Sequence, residues 1–586
     1  MNERRLKHWG WGYEDQAPSR RELEEAAAGI RERFGFGGEV EEAVSLDAVE
    51  VREPRLKAPG GFGDLFTGEK YERVSRALGK AYRDVVRGFR GEFENPPDLV
   101  ALPRDESEIE AVLSWCEAEG AAVVPFGGGT SVVGGVEGRL GDRPFVSLDL
   151  RRLDRVLEVD AESMAARIQA GATGPVLEGQ LREHGLTLRH FPQSFEYSTL
   201  GGWVATRAGG HFATLYTHID DLVESVRAIT PRGRWESRRL PGSGAGPSPD
   251  RALIGSEGIL GVIGEAWMRV RPRPQFKLSC GVEFDDFLAA AGAVRELSQS
   301  GLNPSNCRLL DATEAGMTGA GSGEKSLLVL GFESPHHPVD VPMNIALEIA
   351  GDHGGRHPGM PGRAARRSDR PSQSDSSGGS EAAAFRSEDM PGPDSKTKPA
   401  AGPDRNLTPS GPAAGRAGDA DAAGRWRSAF LLAPYLRDTF VACGVLSETF
   451  ETAITWDRFE DFHATAVAAV RAKVAEVCDA PADGPGAPRV SCRFTHVYPD
   501  GPAPYFTVMA PAVRGGEVEQ WDEIKSAAAE AVIEGGGTIT HHHAVGRDHR
   551  PWYDRQRPAP FAAALRAAKS ELDPSGMLNP GVLIDP

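Results

Sequence analysis

The pattern of apolar and polar residues predicts two blocks of strands and helices in the first half of the chain. Leu99 to Leu102 is a short apolar run, the apolar residues from Ile109 to Cys116 fall at helical spacing, and Ala121 to Phe126 is a second apolar run. The same order recurs over 166–170, 176–181 and 186 onward. We therefore predict two strand-helix-strand units in one α+β domain, closed by a strand over 264–271.

The pattern changes after about Pro274. Apolar runs over 326–332, 492–497 and 505–509 predict strands, and the spacing over 459–477 predicts an amphipathic helix. This combination favours an antiparallel sheet covered by helices. Residues 351–424 consist mostly of Gly, Pro, Ala, Ser, Asp and Arg, which predicts a disordered insertion because so little apolar surface is available to fold.

Composition narrows the classes of function. The 586 residues carry a formal net charge of -18, which argues against a nucleic-acid partner, since such proteins need basic surfaces. The six cysteines lack the spacing of a metal site or a disulfide framework, and no window resembles a secretory signal or a membrane span. The final residues Leu583 to Pro586 carry no peroxisomal address, so we expect a cytoplasmic protein.

The first chemical motif is the glycine turn Pro125-Phe126-Gly127-Gly128-Gly129-Thr130-Ser131, which directly follows a predicted strand. Successive glycines permit positive φ and let several backbone N–H groups point at one anion, and the two hydroxyl groups add donors. An isolated triple glycine also occurs in ordinary flexible turns. The turn lacks G-x-G-x-x-G spacing and a following helical pattern, so it is not a Rossmann site.

Two further loops follow in order, Gln193 to Gly210 and Gly255 to Ile263. The first contains Gln-Ser-Phe-Glu-Tyr-Ser-Thr and the second reads Gly-Ser-Glu-Gly-Ile-Leu-Gly-Val-Ile. Together with the glycine turn, these motifs resemble the PCMH-type FAD-binding domain of the vanillyl-alcohol-oxidase and p-cresol methylhydroxylase family. The resemblance implies that the turn cradles the FAD pyrophosphate, the middle loop lines the ribityl and isoalloxazine region, and the last loop contacts the flavin or adenine.

The resemblance assigns FAD binding to residues of all three motifs. They are Pro125, Phe126, Gly127, Gly128, Gly129, Thr130, Ser131, Gln193, Ser194, Phe195, Glu196, Tyr197, Ser198, Thr199, Ala205, Thr206, Arg207, Ala208, Ser256, Glu257, Gly258, Ile259, Leu260, Gly261, Val262 and Ile263. The glycine turn contains no His or Cys, so we expect noncovalent FAD. His190 and His211 flank the middle loop. The alternative interpretation is that both are ordinary polar surface residues.

Motifs at both ends of the chain resemble the alkyldihydroxyacetonephosphate synthases within that family. Lys7-His8-Trp9-Gly10-Trp11-Gly12-Tyr13 is similar to their N-terminal signature, and Thr540-His541-His542-His543 is similar to their C-terminal histidine run. A surface run of histidines is the alternative. In a strand, His541 and His543 would share one face while His542 takes the other, and no Cys or carboxylate accompanies them at ligand spacing, so we predict no metal site.

Three more residues match positions of the synthases. Tyr505 matches their proton-transferring tyrosine, Arg437 the arginine that holds the substrate phosphate, and Arg308 a further arginine near the active site. Each match has a structural alternative. Tyr505 would suit a core position, Arg437 a surface pair with Asp438, and Arg308 a buried pair with Asp311.

The sequence departs from the synthase pattern at two positions. Ala503 stands two residues before Tyr505, where the family commonly has Cys, and Ala544 follows the histidines, where Gly is usual. The change at Ala503 bears on the details of the substrate that the site accepts. The change at Ala544 bears on the shape of the histidine loop.

The synthase resemblance implies a transferase that exchanges the acyl group of acyl-dihydroxyacetone phosphate for a fatty alcohol through a flavin N5 adduct. Tyr505 would move the proton, and the three histidines would stabilise developing charge. The alternative is an FAD-linked oxidase or dehydrogenase of a hydroxy acid or alcohol. The expected partner is a small lipid with a phosphate head; peripheral membrane contact and a homodimer stay open.

These inferences divide the chain into five parts. We predict an N-terminal helical region over 1–94, a PCMH-type FAD-binding domain of two subdomains over 95–274, a substrate or cap domain over 275–350 and 425–535, the insertion over 351–424, and a C-terminal active-site loop and helix over 536–586 that returns to the FAD domain.

Overall fold

The computed structural model describes residues 5–216, 218–357 and 422–585, without the side chains of 422–425 and 427–431. Within these residues the strands form a four-stranded sheet, a five-stranded sheet, a two-stranded ribbon and a six-stranded sheet. The α-helices are Arg20–Phe34, Lys70–Val74, Tyr82–Phe89, Glu106–Ala118, Gly174–Arg182, Leu200–Thr206, Ala213–Tyr216, Ile219–Leu222, Pro249–Leu253, Phe287–Gln299, Ala312–Met317, Asp340–Asp352, Ala422–Ala442, Trp456–Val477, Glu517–Glu534, Arg550–Gln556 and Ala559–Leu572.

The four-stranded sheet contains the first predicted strand-helix-strand unit. Its strands in spatial order are Phe66–Thr67, Leu99–Ala101, Phe145–Asp149 and Ala122–Phe126. The second and fourth run parallel to the third. Helix Glu106–Ala118 connects them and is capped by the carboxylate of Asp105, which accepts the N–H of Glu108. Phe66–Thr67 pairs antiparallel at the edge, so region 1–94 contributes a strand as well as helices.

The five-stranded sheet is antiparallel. Its strands in spatial order are Val156–Asp160, Ala165–Gln169, Val262–Arg269, Val223–Thr230 and Gly233–Glu236. The prediction of a second complete unit is wrong in its last strand. Leu186–Thr187 pairs with Arg271–Pro272 outside this sheet, because extended backbone ends at Arg189, whose φ is +61°.

The six-stranded sheet is antiparallel and forms the second half of the fold. Its strands in spatial order are Phe276–Phe284, Ser326–Ser334, Asn306–Leu310, Arg489–Val497, Pro502–Pro511 and Val445–Glu451. Helix Trp456–Val477 buries Phe459, Phe462, Ala466, Val470 and Val474, a stripe at helical spacing. The predicted antiparallel sheet covered by helices is therefore confirmed.

The boundaries of the predicted insertion need correction. Helix Asp340–Asp352 extends two residues into 351–424, and helix Ala422–Ala442 begins three residues before its end. The first helix continues because Met343, Ala346 and Ala350 are buried against the sheet half of the molecule. The rest of the predicted insertion, residues 358–421, lies outside the described residues.

The C-terminal segment returns to the first sheet. The N–H of Val123 donates to Met577 O at 2.8 Å, and the N–H of Asn579 donates to Val123 O at 2.8 Å. Lys569 Nζ donates to Ile259 O at 2.8 Å, in the last of the three FAD-type motifs. Each of the six cysteines is a buried free thiol. Among the described helices, none has both the length and the apolar character needed to cross a membrane.

Candidate active site

A cavity of about 1270 Å³ is lined by residues from both halves of the fold. Pockets for a single small ligand usually measure about 300 to 1,000 Å³. The cavity therefore has room for a dinucleotide and a second ligand beside it.

Most of the predicted FAD residues line this cavity. They are Pro125, Phe126, Gly127, Gly128, Gly129, Thr130, Ser131, Gln193, Ser194, Ser198, Thr199, Ala205, Thr206, Ala208, Glu257, Gly258, Gly261 and Ile263. Residues of all three motifs thus line the same cavity.

Eight predicted FAD residues do not line the cavity, and their contacts explain why. Phe195, Ile259, Leu260 and Val262 lie in the apolar core, and Ser256 is buried. Glu196 and Tyr197 bond the hydroxyl of Tyr435, and Arg207 pairs with Asp220 at 2.6 Å. These eight residues hold the loops in place through contacts outside the cavity.

The glycine turn fits a diphosphate because its backbone, without side chains, forms the cavity wall. A Cβ at Gly128 would lie 1.9 Å from the carbonyl oxygen of Tyr197, and Gly129 has a φ of +67°. Only glycine satisfies the first position, and the second favours it strongly. The hydroxyl of Ser131 accepts the N–H of Gly135 at 3.0 Å and so holds the far side of the loop.

Glu257 joins the last FAD-type motif to the loop that follows the histidines. Its carboxylate accepts the N–H of Val545 and the N–H of Gly546, both at 2.9 Å. Burial raises the pKa of Glu257 to about 7 despite these two hydrogen bonds. The flavin side and the histidine side of the cavity are therefore linked through one carboxylate.

Tyr505 lies on the middle one of three paired strands, and each neighbouring strand places a charged residue opposite it. Glu451 is its partner on one neighbouring strand and Arg493 on the other. The guanidinium carbon of Arg493 lies 3.8 Å from the centre of the Tyr505 ring, and Arg493 also forms a buried ion pair with Glu314. The tyrosine is 5% exposed and lines the cavity.

The three histidines form a loop wrapped around Glu451, and not a strand. Oε1 of Glu451 accepts the backbone N–H groups of His541, His542 and His543 at 3.0, 3.1 and 3.0 Å, and the hydroxyl of Thr540 at 2.6 Å. Burial alone would raise the pKa of Glu451, but the neighbouring imidazoles, His542 first, hold it well below its ordinary value. His542 and His543 line the cavity, whereas His541 lies behind them.

A fourth histidine, His496, joins this cluster from strand Arg489–Val497. One ring nitrogen from each of His496, His541 and His542 lies within 4.8 Å of the others, close enough to hold a metal ion. The spacing of the histidines in 541–543 does not predict this cluster, because the third imidazole, that of His496, comes from a strand distant in the sequence. Burial, with the neighbouring imidazoles and Arg308, lowers the pKa of His496 well below 6.5.

Arg437 lines the cavity from helix Ala422–Ala442 and donates to Lys80 O at 2.8 Å. The alternative pair with Asp438 is not formed. Asp438 instead forms a buried ion pair with Lys7 and accepts the N–H of Trp11 at 2.9 Å. The N-terminal signature therefore anchors the helix that carries Arg437.

Arg308 is buried in strand Asn306–Leu310 and lines the cavity. It does not pair with Asp311, whose carboxylate accepts the N–H groups of Glu314 and Cys492, each at 2.6 Å. Burial, followed by the charge of Arg493, lowers the pKa of Arg308 to about 9. This side chain places a cation in the cavity, close enough to His496 to act on its pKa.

Two flanking histidines differ from the expectation of polar surface residues. His190 is 1% exposed and packs on Trp203, and burial lowers its pKa to about 3. His211 is half-buried, lines the cavity and lies 3.2 Å from the amide nitrogen of Asn306. Ala544, where the family usually has Gly, adopts a φ of +73°, so the substitution leaves a strained residue at the end of the histidine loop.

Sequence reasoning missed Glu451, Arg493, His496 and Tyr498. A charged residue within an apolar strand pattern is a usable signal for the first two, because an isolated charge is rarely buried without a partner. Their closeness to Tyr505 depends on the pairing of strands far apart in the chain, which a single sequence does not specify.

Comparisons with known proteins agree with this architecture. The family described as FAD binding domain matches residues 97–237, and the family described as FAD linked oxidases, C-terminal domain, matches 273–367 and 404–583. A crystal structure of p-cresol methylhydroxylase with substrate bound is similar with a TM-score of 0.62 and 13% identity, covering 97% of this chain and 98% of that one. The fold and cavity define an FAD-dependent flavoprotein of PCMH type, which confirms the predicted fold class and cofactor.

Closer relatives identify the branch of this class. A crystal structure of an alkyldihydroxyacetonephosphate synthase has a TM-score of 0.73 at 23% identity and covers 98% of each chain. The alkyldihydroxyacetonephosphate synthase of Dictyostelium discoideum is 30% identical over 548 residues, which cover 89% of this chain and 79% of that protein. The chain belongs to the alkyldihydroxyacetonephosphate synthase family.

Proposed function

We propose that this enzyme exchanges the acyl group of an acyl-dihydroxyacetone phosphate for a fatty alcohol, the step that creates the ether bond of ether lipids. The observation that carries the proposal is the cavity shared by the FAD motifs, Tyr505, the histidine loop, Arg308 and Arg437. Family membership supports the same conclusion. We also propose that the protein acts in the cytoplasm.

The residues of the cavity supply binding and proton transfer. Arg437 uses one N–H on Lys80 O, and its remaining donors suit the substrate phosphate, which a guanidinium can bind in a bidentate manner. Tyr505 removes the proton from C1, next to the carbonyl group. The buried cation of Arg308 and the imidazoles of His542 and His543 stabilise the negative charge that develops on the carbonyl oxygen.

Bound FAD supplies the electrophilic ring at which one group is exchanged for the other. The glycine turn would hold its diphosphate, and the loop 193–199 would lie along the rest of the cofactor. We propose noncovalent binding, because the turn itself offers no nucleophilic side chain. Denaturation should release the flavin into the supernatant, and flavin that stays with the precipitated protein would contradict this.

The test uses purified holoenzyme with palmitoyl-dihydroxyacetone phosphate and labelled hexadecanol. We expect a labelled ether product and release of palmitate, with no lasting bleaching of the flavin. Tyr505→Phe should lower the rate by a factor of about 100 or more, whereas Tyr553→Phe, which loses the hydroxyl of a tyrosine that does not line the cavity, should match the wild type.

The competing function is an FAD-linked oxidase or dehydrogenase of a hydroxy acid or alcohol. Under anaerobic conditions such substrates would bleach the flavin, and oxygen or an acceptor dye would restore its absorbance. Bleaching by hydroxy acids together with the absence of ether product would overturn the transferase proposal.

A further inference from the structure

A row of hydrogen-bonding side chains leads from the cavity towards the surface. His542 lines the cavity, where its ring plane makes an angle of 22° with that of Tyr505 and the ring centroids lie 6.0 Å apart. Its Nδ1 atom lies 3.1 Å from Nδ1 of His541, and Nε2 of His541 lies 2.7 Å from the hydroxyl of Tyr498.

Tyr498 is the last residue of this row, at the start of a turn with exposed residues. It follows strand Arg489–Val497 in a tight turn, and its N–H donates to Gly501 O at 2.9 Å. Its neighbours Pro499 and Asp500 are exposed, whereas Tyr498 itself is half-buried. Tyr498 therefore connects the buried imidazole of His541 to a hairpin turn with exposed residues.

The contacts favour one arrangement of protons along the row. Oε2 of Glu451 lies 3.4 Å from Nδ1 of His542, and the nearby carboxylate favours a proton on that nitrogen. Nδ1 of His541 then accepts from His542, and Nε2–H of His541 donates to Tyr498. A neutral imidazole accepts at one nitrogen while donating from the other, which is what the two contacts of His541 require.

We propose that His542, His541 and Tyr498 form a proton relay between the cavity and solvent. The relay rests on the proposed function, in which Tyr505 removes a proton from C1 of the substrate. It gives His541 and Tyr498 a role that binding and charge stabilisation do not require.

The transfer balances at every step. A proton that Tyr505 releases into the cavity bonds to Nε2 of His542 as the Nδ1 proton of His542 moves to Nδ1 of His541. The Nε2 proton of His541 then moves to the oxygen of Tyr498, whose original hydroxyl proton leaves to water. All three side chains end neutral, and neither an oxidant nor a reductant is consumed.

The experiment follows the fate of the removed hydrogen. Palmitoyl-dihydroxyacetone phosphate deuterated at C1 is converted with hexadecanol in ordinary water, and mass spectrometry measures the deuterium that remains in the ether product. The wild type should lose the removed deuterium to solvent. In Tyr498→Phe, the fraction of product that retains it should rise about tenfold, because the proton returns to carbon instead of leaving.

Two further variants support the comparison. His541→Asn interrupts the row at a second point and should also raise retention, while Tyr553→Phe removes the hydroxyl of a tyrosine that does not line the cavity and should not. Retention is measured per product molecule, so a lower rate alone does not change it. Equal retention in the wild type, Tyr498→Phe and His541→Asn would overturn the relay, whereas the absence of ether product from wild type would overturn the proposed function.

Discussion

Arg493 and Tyr505 are cross-strand neighbours, and the guanidinium carbon of Arg493 lies 3.8 Å from the centre of the tyrosine ring. A cation over the ring face is attracted by the ring, an interaction of about 0.5 to 2 kcal/mol that holds the tyrosine in position. Arg493→Met should therefore lower kcat by a factor of about 3 to 30. Steady-state kinetics of ether formation measure the effect.

The same substitution leaves Glu314 buried without its cation, which would destabilise the fold by about 3 to 5 kcal/mol. The double variant Arg493→Met with Glu314→Gln removes that charge and should recover much of the melting temperature without recovering kcat. Arg489→Met, on the same strand, serves as a control. An unchanged kcat in the double variant would contradict a role for the cation.

Substitutions of Glu451 can separate the effect of its hydrogen bonds to the histidine loop from the effect of its negative charge. Glu451→Gln keeps an oxygen at Oε1, which accepts three consecutive backbone N–H groups, but removes the charge. Glu451→Ala removes both, and each buried donor left unsatisfied costs about 1 to 3 kcal/mol. We expect Gln to retain most of the thermal stability and Ala to lose it, with activity low in both.

Melting temperature and kcat of the two variants provide the measurement. If Gln and Ala lose stability equally, the carboxylate does not hold the histidine loop through its backbone. If Gln retains full activity, the charge beside His542 is dispensable.

Gly128 is the position in the glycine turn least able to accept a side chain, since a Cβ there would lie 1.9 Å from Tyr197 O. Gly128→Ala should displace the loop and lower flavin content by a factor of about 10 or more, given the backbone shift required. Gly179→Ala is the matched control, because no atom lies within 4 Å of its Cβ position. Flavin absorbance per protein decides the outcome, and full occupancy of Gly128→Ala would show that the turn does not hold the cofactor.

The raised pKa of Glu257 predicts a specific pH dependence of stability. Its pKa is about 7 in the folded protein, against an ordinary value of 4.5. Between these values the folded state binds more protons than the unfolded state, so the contribution of Glu257 falls as pH rises from 4.5 to 7. The total loss is on the order of 3 kcal/mol.

The glutamine of Glu257→Gln does not titrate. The stability of this variant should therefore lack the fall between pH 4.5 and 7 that Glu257 causes in the wild type. Denaturant unfolding of both proteins between pH 4.5 and 7.5 measures the difference, in which the other titrating groups cancel. Parallel stability curves would mean that Glu257 has an ordinary pKa.

The apolar pattern anticipated much of the secondary structure because burial of one face is a local property. Strand Ala122–Phe126, helix Glu106–Ala118 and helix Trp456–Val477 follow directly from it. The pattern also predicted a strand from Leu186 onward, but not its pairing, because its partner Arg271–Pro272 is distant in the sequence.

The candidate site also has a part that the sequence predicts and a part that it does not. Motifs with unusual composition, such as the glycine turn and the histidine run, could be found in the sequence. Glu451 and Arg493 could not be assigned, because their positions on either side of Tyr505 are set by the order and register of three strands.

The contact between the N-terminal signature and Asp438 has a consequence for how the gene can be altered. Lys7 and Trp11 bond Asp438 and so hold helix Ala422–Ala442 from the N-terminal side of the chain. Changes of chain length between His357 and Ala422 should therefore leave Arg437 in place, whereas loss of the first dozen residues should release it.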